Sequence, residues 1–261
     1  MPYARSGDLD LYYESHGSGK AVVFVHGGNG NTLSWFHQVP HFSQRYRCIT
    51  VDLRCFKHSR CDVEQYHPKY YVADMLAVMD AAEVKSAAFV CQSLGAWAGL
   101  PLAVRHSERV WALAINGSPT PVYSERNWAV LERSARTSVA VQQGLLPNAR
   151  STGMSERFMQ EHPELTFLYE AIGRLNGPRR TLTMLDDELK LHPHHFAGYR
   201  VPTLIAGGQH DHFLTPDHHL HIASLIPGAR AHTFRNSGHS AYFEEPEEFN
   251  RVVGAFLDAQ A

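Results

Sequence analysis

A serine, an aspartate and a histidine each follow an apolar segment of the chain. Ser93 comes directly after SAAFVCQ, Asp211 comes shortly after VPTLIAGG, and His239 lies in the turn NSGHS after ARAHTF. A serine hydroxyl becomes a nucleophile when a histidine removes its proton and a carboxylate holds that histidine. We therefore predict Ser93 as the nucleophile, His239 as the base and Asp211 as the acid that orients the base.

The stretch around Ser93 predicts a sharp turn from a strand into a helix. A residue at such a turn has strained backbone geometry, so its neighbours two positions away on either side must be small. Here these neighbours are Cys91 and Gly95. The turn brings the hydroxyl to the carboxyl edge of the sheet and points backbone N–H groups of the helix start at the same place. We expect an oxyanion site there.

The segments that carry these residues predict a mostly parallel sheet. Runs that are apolar at nearly every position suit strands that helices cover on both faces. Residues 9–15 alternate between apolar and polar instead, which predicts a half-exposed antiparallel edge strand. The predicted parallel strands cover residues 21–26, 46–52, 86–92, 109–116, 201–208 and 229–234.

The strand pattern is interrupted between about residues 122 and 199. Helical stretches punctuated by Gly and Pro fill this part of the chain, and residues 127–146 form the clearest of them. We therefore predict a core made of residues 1–121 and 200–261, with a helical cap inserted at 122–199.

Composition and charge limit the kinds of partner. The 261 residues are 44% hydrophobic and 19% charged, and 24 Lys and Arg stand against 26 Asp and Glu, so nucleic acid is not an expected partner. No signal peptide or membrane-spanning run is evident, which predicts a cytoplasmic protein that contacts no membrane. The four cysteines form no CxxC pair, and we expect reduced thiols without disulfides. We expect a monomer or homodimer that acts on a small molecule.

Four motifs occur in the order typical of the α/β-hydrolase fold, and the chain resembles that superfamily from about residue 8 to its end. CQSLG at 91–95 stands where the family has G-x-S-x-G, and HGG at 26–28 stands where it has an H-G-G oxyanion loop. GGQHD at 207–211 ends the penultimate strand, and SGH at 237–239 follows the last one. The resemblance implies an α/β-hydrolase fold: a mostly parallel central sheet flanked by helices, with an inserted helical cap.

The same resemblance suggests further site residues. Backbone N–H groups of Gly28 and Leu94 are expected to stabilise an oxyanion. We expect His26, Trp35 and Gln92 beside the substrate. The 18 histidines form clusters in the sequence, but no H-E-x-x-H helix or closed Cys/His ligand set accompanies them, so we predict neither a metal nor a cofactor.

These residues predict a serine hydrolase, esterase-like or lactonase-like, that cleaves an ester or lactone through an acyl-enzyme. The substrate is expected to be uncharged and partly apolar. Because one fold supports many functions, four alternatives stay open: a cofactor-free dioxygenase, a C–C bond hydrolase, a lyase, and a receptor without enzymatic activity.

One turn departs from the pattern of the family. Residues 52–59 read DLRCFKHS where relatives carry R-G-x-G-x-S, so both glycines are replaced, by Cys55 and Lys57. If the turn needs a positive φ there, Cys55 or Lys57 is strained at a cost of about 1–3 kcal/mol. Otherwise the loop beside the pocket has another shape.

Overall fold

Eight strands form one sheet in the computed structural model, which describes residues 2–143, 153–177 and 184–261. Their order across the sheet is β1-β2-β4-β3-β5-β6-β7-β8. The first two strands pair antiparallel and the other six are parallel to one another. The strands are β1 (Tyr3–Ser6), β2 (Leu9–His16), β3 (Ala21–Val25), β4 (Arg47–Val51), β5 (Ala87–Gln92), β6 (Val110–Asn116), β7 (Thr203–Gly208) and β8 (Arg230–Phe234). This arrangement confirms the predicted fold class.

The prediction of an edge strand at residues 9–15 is wrong in one respect. Strand β2 is antiparallel, as expected, but β1 pairs along its outer side and is itself the edge. Strand β1 has four residues, of which Ala4 alone is buried. A single buried position produces no alternating pattern, so this strand could not be predicted from the sequence.

Helices cover both faces of the sheet. Neighbouring residues of β3 lie in different apolar clusters, Val22 in one and Val23 in the other, because successive side chains of a strand point to opposite faces. One cluster includes residues of α2, α3 and α7, and the other includes residues of α1, α8 and α9. These helices are α1 (Gln38–Phe42), α2 (Tyr71–Ala81), α3 (Ala96–Arg105), α7 (Pro216–Leu225), α8 (Ala241–Glu244) and α9 (Pro246–Asp258).

Among the described residues, three more helices lie between β6 and β7, in the segment predicted as a cap. They are α4 (Glu125–Gln142), α5 (Glu156–Glu161) and α6 (Pro163–Arg174). Helix α4 matches most of the helix predicted at 127–146, whose last three residues, 144–146, lie outside the described residues. The boundaries of the cap at 122 and 199 stay a prediction. None of the helices in the described ranges is long and apolar enough to cross a membrane.

The loop after β4 keeps positive φ angles without glycine. Cys55 has φ 65° and Lys57 has φ 34°, so two side chains occupy the left-handed region that the family fills with glycines. The backbone closes on itself, with the N–H of Cys55 donating to the carbonyl of Ser59 at 2.7 Å. The loop therefore keeps a tight turn in spite of its sequence.

A disulfide joins Cys55 to Cys61, so the prediction of reduced thiols is wrong for this pair. The turn brings the two Cα atoms to 4.9 Å, within the range that a disulfide spans. A spacing of six residues resembles no common redox or metal motif, which is why the sequence did not reveal the pair. Cys48 and Cys91 are free and buried, as expected.

We expect the variant Cys55→Ser/Cys61→Ser to unfold more easily. Opening a loop of this length restores freedom to the unfolded chain, and the free energy of unfolding should fall by about 2 kcal/mol. Urea titration of both proteins measures the difference. A reductant should lower the stability of the wild type only; an equal effect on the double variant would contradict a contribution from the disulfide.

Candidate active site

Ser93 occupies a strained turn between β5 and α3. Its φ is +48°, although it is not a glycine. Gly95 passes so close to β3 that a Cβ there would overlap the carbonyl of Val25, and a Cβ on Gly99 would overlap the sulfur of Cys91. Small residues therefore let α3 press onto the sheet. Cys91 fits at the position of the first family glycine because Gly99 leaves room for its sulfur.

Asp211, which is buried, and His239, which is partly exposed, form an acid–base pair. Nδ1 of His239 lies 2.8 Å from Oδ2 of Asp211, and the other carboxylate oxygen accepts N–H groups of Phe213 at 2.8 Å and Leu214 at 2.9 Å. Three bonds thus fix the carboxylate, and the carboxylate fixes the imidazole. The geometry leaves Nε2 of His239 as the nitrogen that can exchange a proton with a substrate.

The pair shifts both pKa values. Burial alone raises the pKa of Asp211, but the His239 charge and the hydrogen bonds to the carboxylate outweigh burial and lower it below its ordinary value. Burial likewise lowers the pKa of His239, and the neighbouring carboxylate outweighs that effect and raises it. Asp211 therefore stays ionised and supports a proton on His239.

Ser93, Asp211 and His239 line one cavity of about 790 Å³. Within the described residues the hydroxyl of Ser93 makes no hydrogen bond, so it is not joined to His239; such contacts often tighten only when a substrate binds. The cavity is also lined by apolar side chains, namely Leu94, Trp97, Val130, Met154, Met184 and Phe213. The structure thus brings together the three residues that the sequence singled out.

The predicted oxyanion residues lie at the same cavity. Gly28 and Leu94 both line it. At Gly27, the position of a Cβ would be 3.2 Å from the Cβ of Ser93, so the loop after β3 runs directly beside the nucleophile. This close approach is compatible with backbone N–H groups that face the reacting carbonyl. The oxyanion role itself stays a prediction.

Two of the predicted substrate contacts do not line the cavity. Trp35 is 1% exposed and packs against Phe24 and Tyr242. His26 is fully buried, and its Nε2 accepts the N–H of Leu53 at 3.0 Å. Both side chains are buried and make their contacts within the fold. The structure therefore gives neither residue a contact surface for substrate.

Gln92 does line the cavity, but its amide is already occupied. Its Nε2 donates to the backbone carbonyl of His239 at 2.9 Å, and its Oε1 accepts from Asn116 at 2.6 Å. Asn116 is the last residue of β6. The two amides therefore hold the backbone of the base in place.

Sequence reasoning missed Glu244, which binds the backbone around the base. This buried carboxylate accepts the N–H groups of Gly238 at 2.9 Å and Ser240 at 3.3 Å, on either side of His239. It also accepts the N–H of Ser155 at 2.8 Å, which belongs to the predicted cap. Burial raises the pKa of Glu244 although these hydrogen bonds oppose the shift. The residue links the loop of the base to the inserted segment.

A second buried histidine packs behind the acid. Nε2 of His219 donates to the carbonyl of Leu214 at 2.8 Å and lies 4.0 Å from Asp211. Its ring covers Gly207, where any Cβ would overlap it. Burial lowers the pKa of His219 to about 4, so the ring is neutral and supports the loop of the acid. Across the described ranges, no three His, Cys, Asp or Glu side chains meet as a metal site requires.

Residues 20–246 match the family model for the alpha/beta hydrolase fold, which is most of the chain. The chain belongs to the alpha/beta hydrolase fold family. A protein of Azorhizobium caulinodans provisionally named carbamate hydrolase RutD is 26% identical, with 98% of each chain covered. The 2-hydroxy-6-oxo-6-phenylhexa-2,4-dienoate hydrolase of Comamonas testosteroni is also 26% identical, with 96% of this chain and 92% of the relative covered.

A solved structure extends the likeness to three dimensions. The enzyme Est816, described as degrading N-acyl homoserine lactones, has a TM-score of 0.82 and 25% identity, and the match covers 98% of this chain and 100% of that one. These alpha/beta hydrolase relatives are named for different bonds. Family membership therefore shows that this chain has hydrolase relatives. It does not identify the bond that this chain cleaves.

We expect Glu244→Gln to destabilise the protein by about 1–3 kcal/mol, because the amide would turn an NH₂ group towards backbone donors and leave them without an acceptor. Denaturant unfolding measures the change. Glu247→Gln is the matched control, since that residue lies on the exposed side of the following helix. Equal stabilities of the two variants would contradict the bridging role of Glu244.

Proposed function

We propose that the protein is a serine hydrolase that cleaves a carboxylic ester or lactone of a small, partly apolar substrate through an acyl-enzyme. The observation that carries the proposal is the Asp211–His239 pair at 2.8 Å, in one cavity with a Ser93 that is held at φ 48°. The protein is proposed to act as a monomer or homodimer and without a cofactor.

The proposed reaction has two halves. His239 accepts the proton of Ser93 as the hydroxyl oxygen bonds to the carbonyl carbon, and the N–H groups of Gly28 and Leu94 stabilise the resulting oxyanion. The intermediate collapses, the C–O bond to the leaving group breaks, and His239 gives that group its proton. Water then attacks the acyl group with His239 as the base, which releases a carboxylic acid and restores Ser93.

The relatives support hydrolysis and also favour a second candidate. Est816 is described as degrading a lactone, whereas the Comamonas relative is a dienoate hydrolase. A C–C bond hydrolase on the same residues is therefore the second candidate. Dioxygenase, lyase and receptor functions find no support in the names of these three relatives.

The cytoplasmic location stays a prediction. A disulfide is typical of oxidising compartments, so the Cys55–Cys61 pair counts against it. Lysing whole cells directly into denaturant with an alkylating reagent and counting the modified thiols distinguishes the two cases, because denaturation exposes the buried Cys48 and Cys91. Four free thiols would support a reducing compartment, and two would contradict it.

Ser93→Ala should lose turnover of lactones and of p-nitrophenyl esters by at least about 10⁴-fold, since alanine has no oxygen that can form the acyl-enzyme. Ser107→Ala, at an exposed position just beyond the C-terminal end of α3, is the control. With ¹⁸O-labelled water the label should enter the acid product, and removing oxygen should leave the rate unchanged. Turnover that stops without oxygen, or that survives in Ser93→Ala, would contradict the proposed mechanism.

The rate should depend on the protonation of His239. Neutral His239 is the base, so kcat/KM should rise with pH through a midpoint above the ordinary value of 6.5, because the carboxylate raises this pKa. Asp211→Asn removes that charge, so the midpoint should move to lower pH while the rate falls on the order of 10³- to 10⁴-fold. The exposed Asp217→Asn is the control, and a matching shift in it would argue against the assignment of Asp211.

A further inference from the structure

One wall of the cavity is polar, and helix α4 supplies it. Arg133, Ser134, Thr137 and Ser138 all line the cavity. Positions separated by three or four residues share one face of a helix, so these four side chains form a continuous strip. We call these four residues the polar strip. The strip lies on the inserted segment and lines the same cavity as the catalytic candidates.

Arg133 is the one Lys or Arg side chain among the described residues that line the cavity. Among the described lining residues Asp211 is the one carboxylate, and its oxygens already bind His239 and two backbone N–H groups. Arg133 therefore carries a charge that no free carboxylate of the described lining balances, and this charge favours an anionic group of a ligand.

Arg133 differs from the next arginine of the same helix. Arg136 donates to Glu132 at 3.2 Å, one turn away, so its charge is paired within the protein. In the part of the chain that the structure describes, the guanidinium of Arg133 has neither a hydrogen bond nor a carboxylate partner. It therefore keeps its planar set of donors available to a ligand, and that set matches the two oxygens of a carboxylate.

We propose that the substrate carries a carboxylate, which Arg133 binds at the polar strip while the apolar body of the substrate lies against the rest of the cavity. This inference rests on the proposed function and replaces the uncharged substrate expected from the sequence. The hydroxyl groups of Ser134, Thr137 and Ser138 can donate to the same anion. The carboxylate is a part of the substrate remote from the scissile bond, so Arg133 contributes to specificity and not to bond cleavage.

Two esters with the same leaving group and acyl chain length test the proposal. Mono-p-nitrophenyl glutarate carries a terminal carboxylate, and p-nitrophenyl pentanoate carries a methyl group there. Arg133→Gln should lower kcat/KM for the glutarate at least about fivefold, mainly through KM, and leave the pentanoate within about twofold. Added salt should weaken turnover of the glutarate alone, since salt screens an exposed charge.

Arg136→Gln is the matched control, because it removes the same charge from the same helix at a position paired with Glu132. It should leave both esters unaffected. If Arg133→Gln changes both esters alike, or if Arg136→Gln has the same selective effect, the proposal fails while the serine hydrolase assignment stands. If neither ester is turned over by the wild type, the hydrolase assignment fails instead.

Binding to the Ser93→Ala protein tests the inference without turnover. Equilibrium dialysis should give tighter binding of the glutarate than of the pentanoate, and Arg133→Gln in the Ser93→Ala background should remove that preference. An unchanged preference in the double variant would overturn the role of Arg133. This result would not depend on the catalytic mechanism, because binding is measured without turnover.

Discussion

The site depends on how closely backbone segments approach one another at the carboxyl edge of the sheet. Ser93 keeps φ at +48° because Gly95 lies against the carbonyl of Val25, where no side chain fits. Strands β3 and β5 are neighbours in the sheet, so the oxyanion loop and the nucleophile leave the sheet side by side. Packing at the start of α3 thus fixes the positions of the nucleophile and of the oxyanion loop, the two halves of the predicted reaction centre.

The same constraint holds on the acid–base side. A Cβ on Gly208 would overlap the carbonyls of Ser237 and Gly238, so the loop of the base lies directly on the end of β7. Glu244 satisfies the backbone donors that this close approach would otherwise bury without partners. Because the carboxylate also binds Ser155, the inserted segment is attached to the loop of the base and not only to its chain neighbours.

Features that depend on residues close together in the sequence could be predicted from the sequence alone. Ser93 was found because a buried strand, small neighbours and a helix surround it in the sequence, and the buried strands were found for the same reason. Glu244 could not be found, since Ser155 is 89 residues away. The burial of His26 and Trp35 likewise depends on partners from distant segments. The disulfide of Cys55 depends on a tight turn that lacks the glycines typical of such turns.

The division between chemistry and specificity follows from where each group lies. The three catalytic candidates follow β5, β7 and β8, strands held by main-chain hydrogen bonds along a continuous sheet. Arg133 lies on α4, which comes between β6 and β7 and is not part of that sheet. Changes on α4 can therefore alter the charge of the cavity lining without disturbing the geometry of the acid–base pair, because that part of the lining is built from a segment outside the sheet.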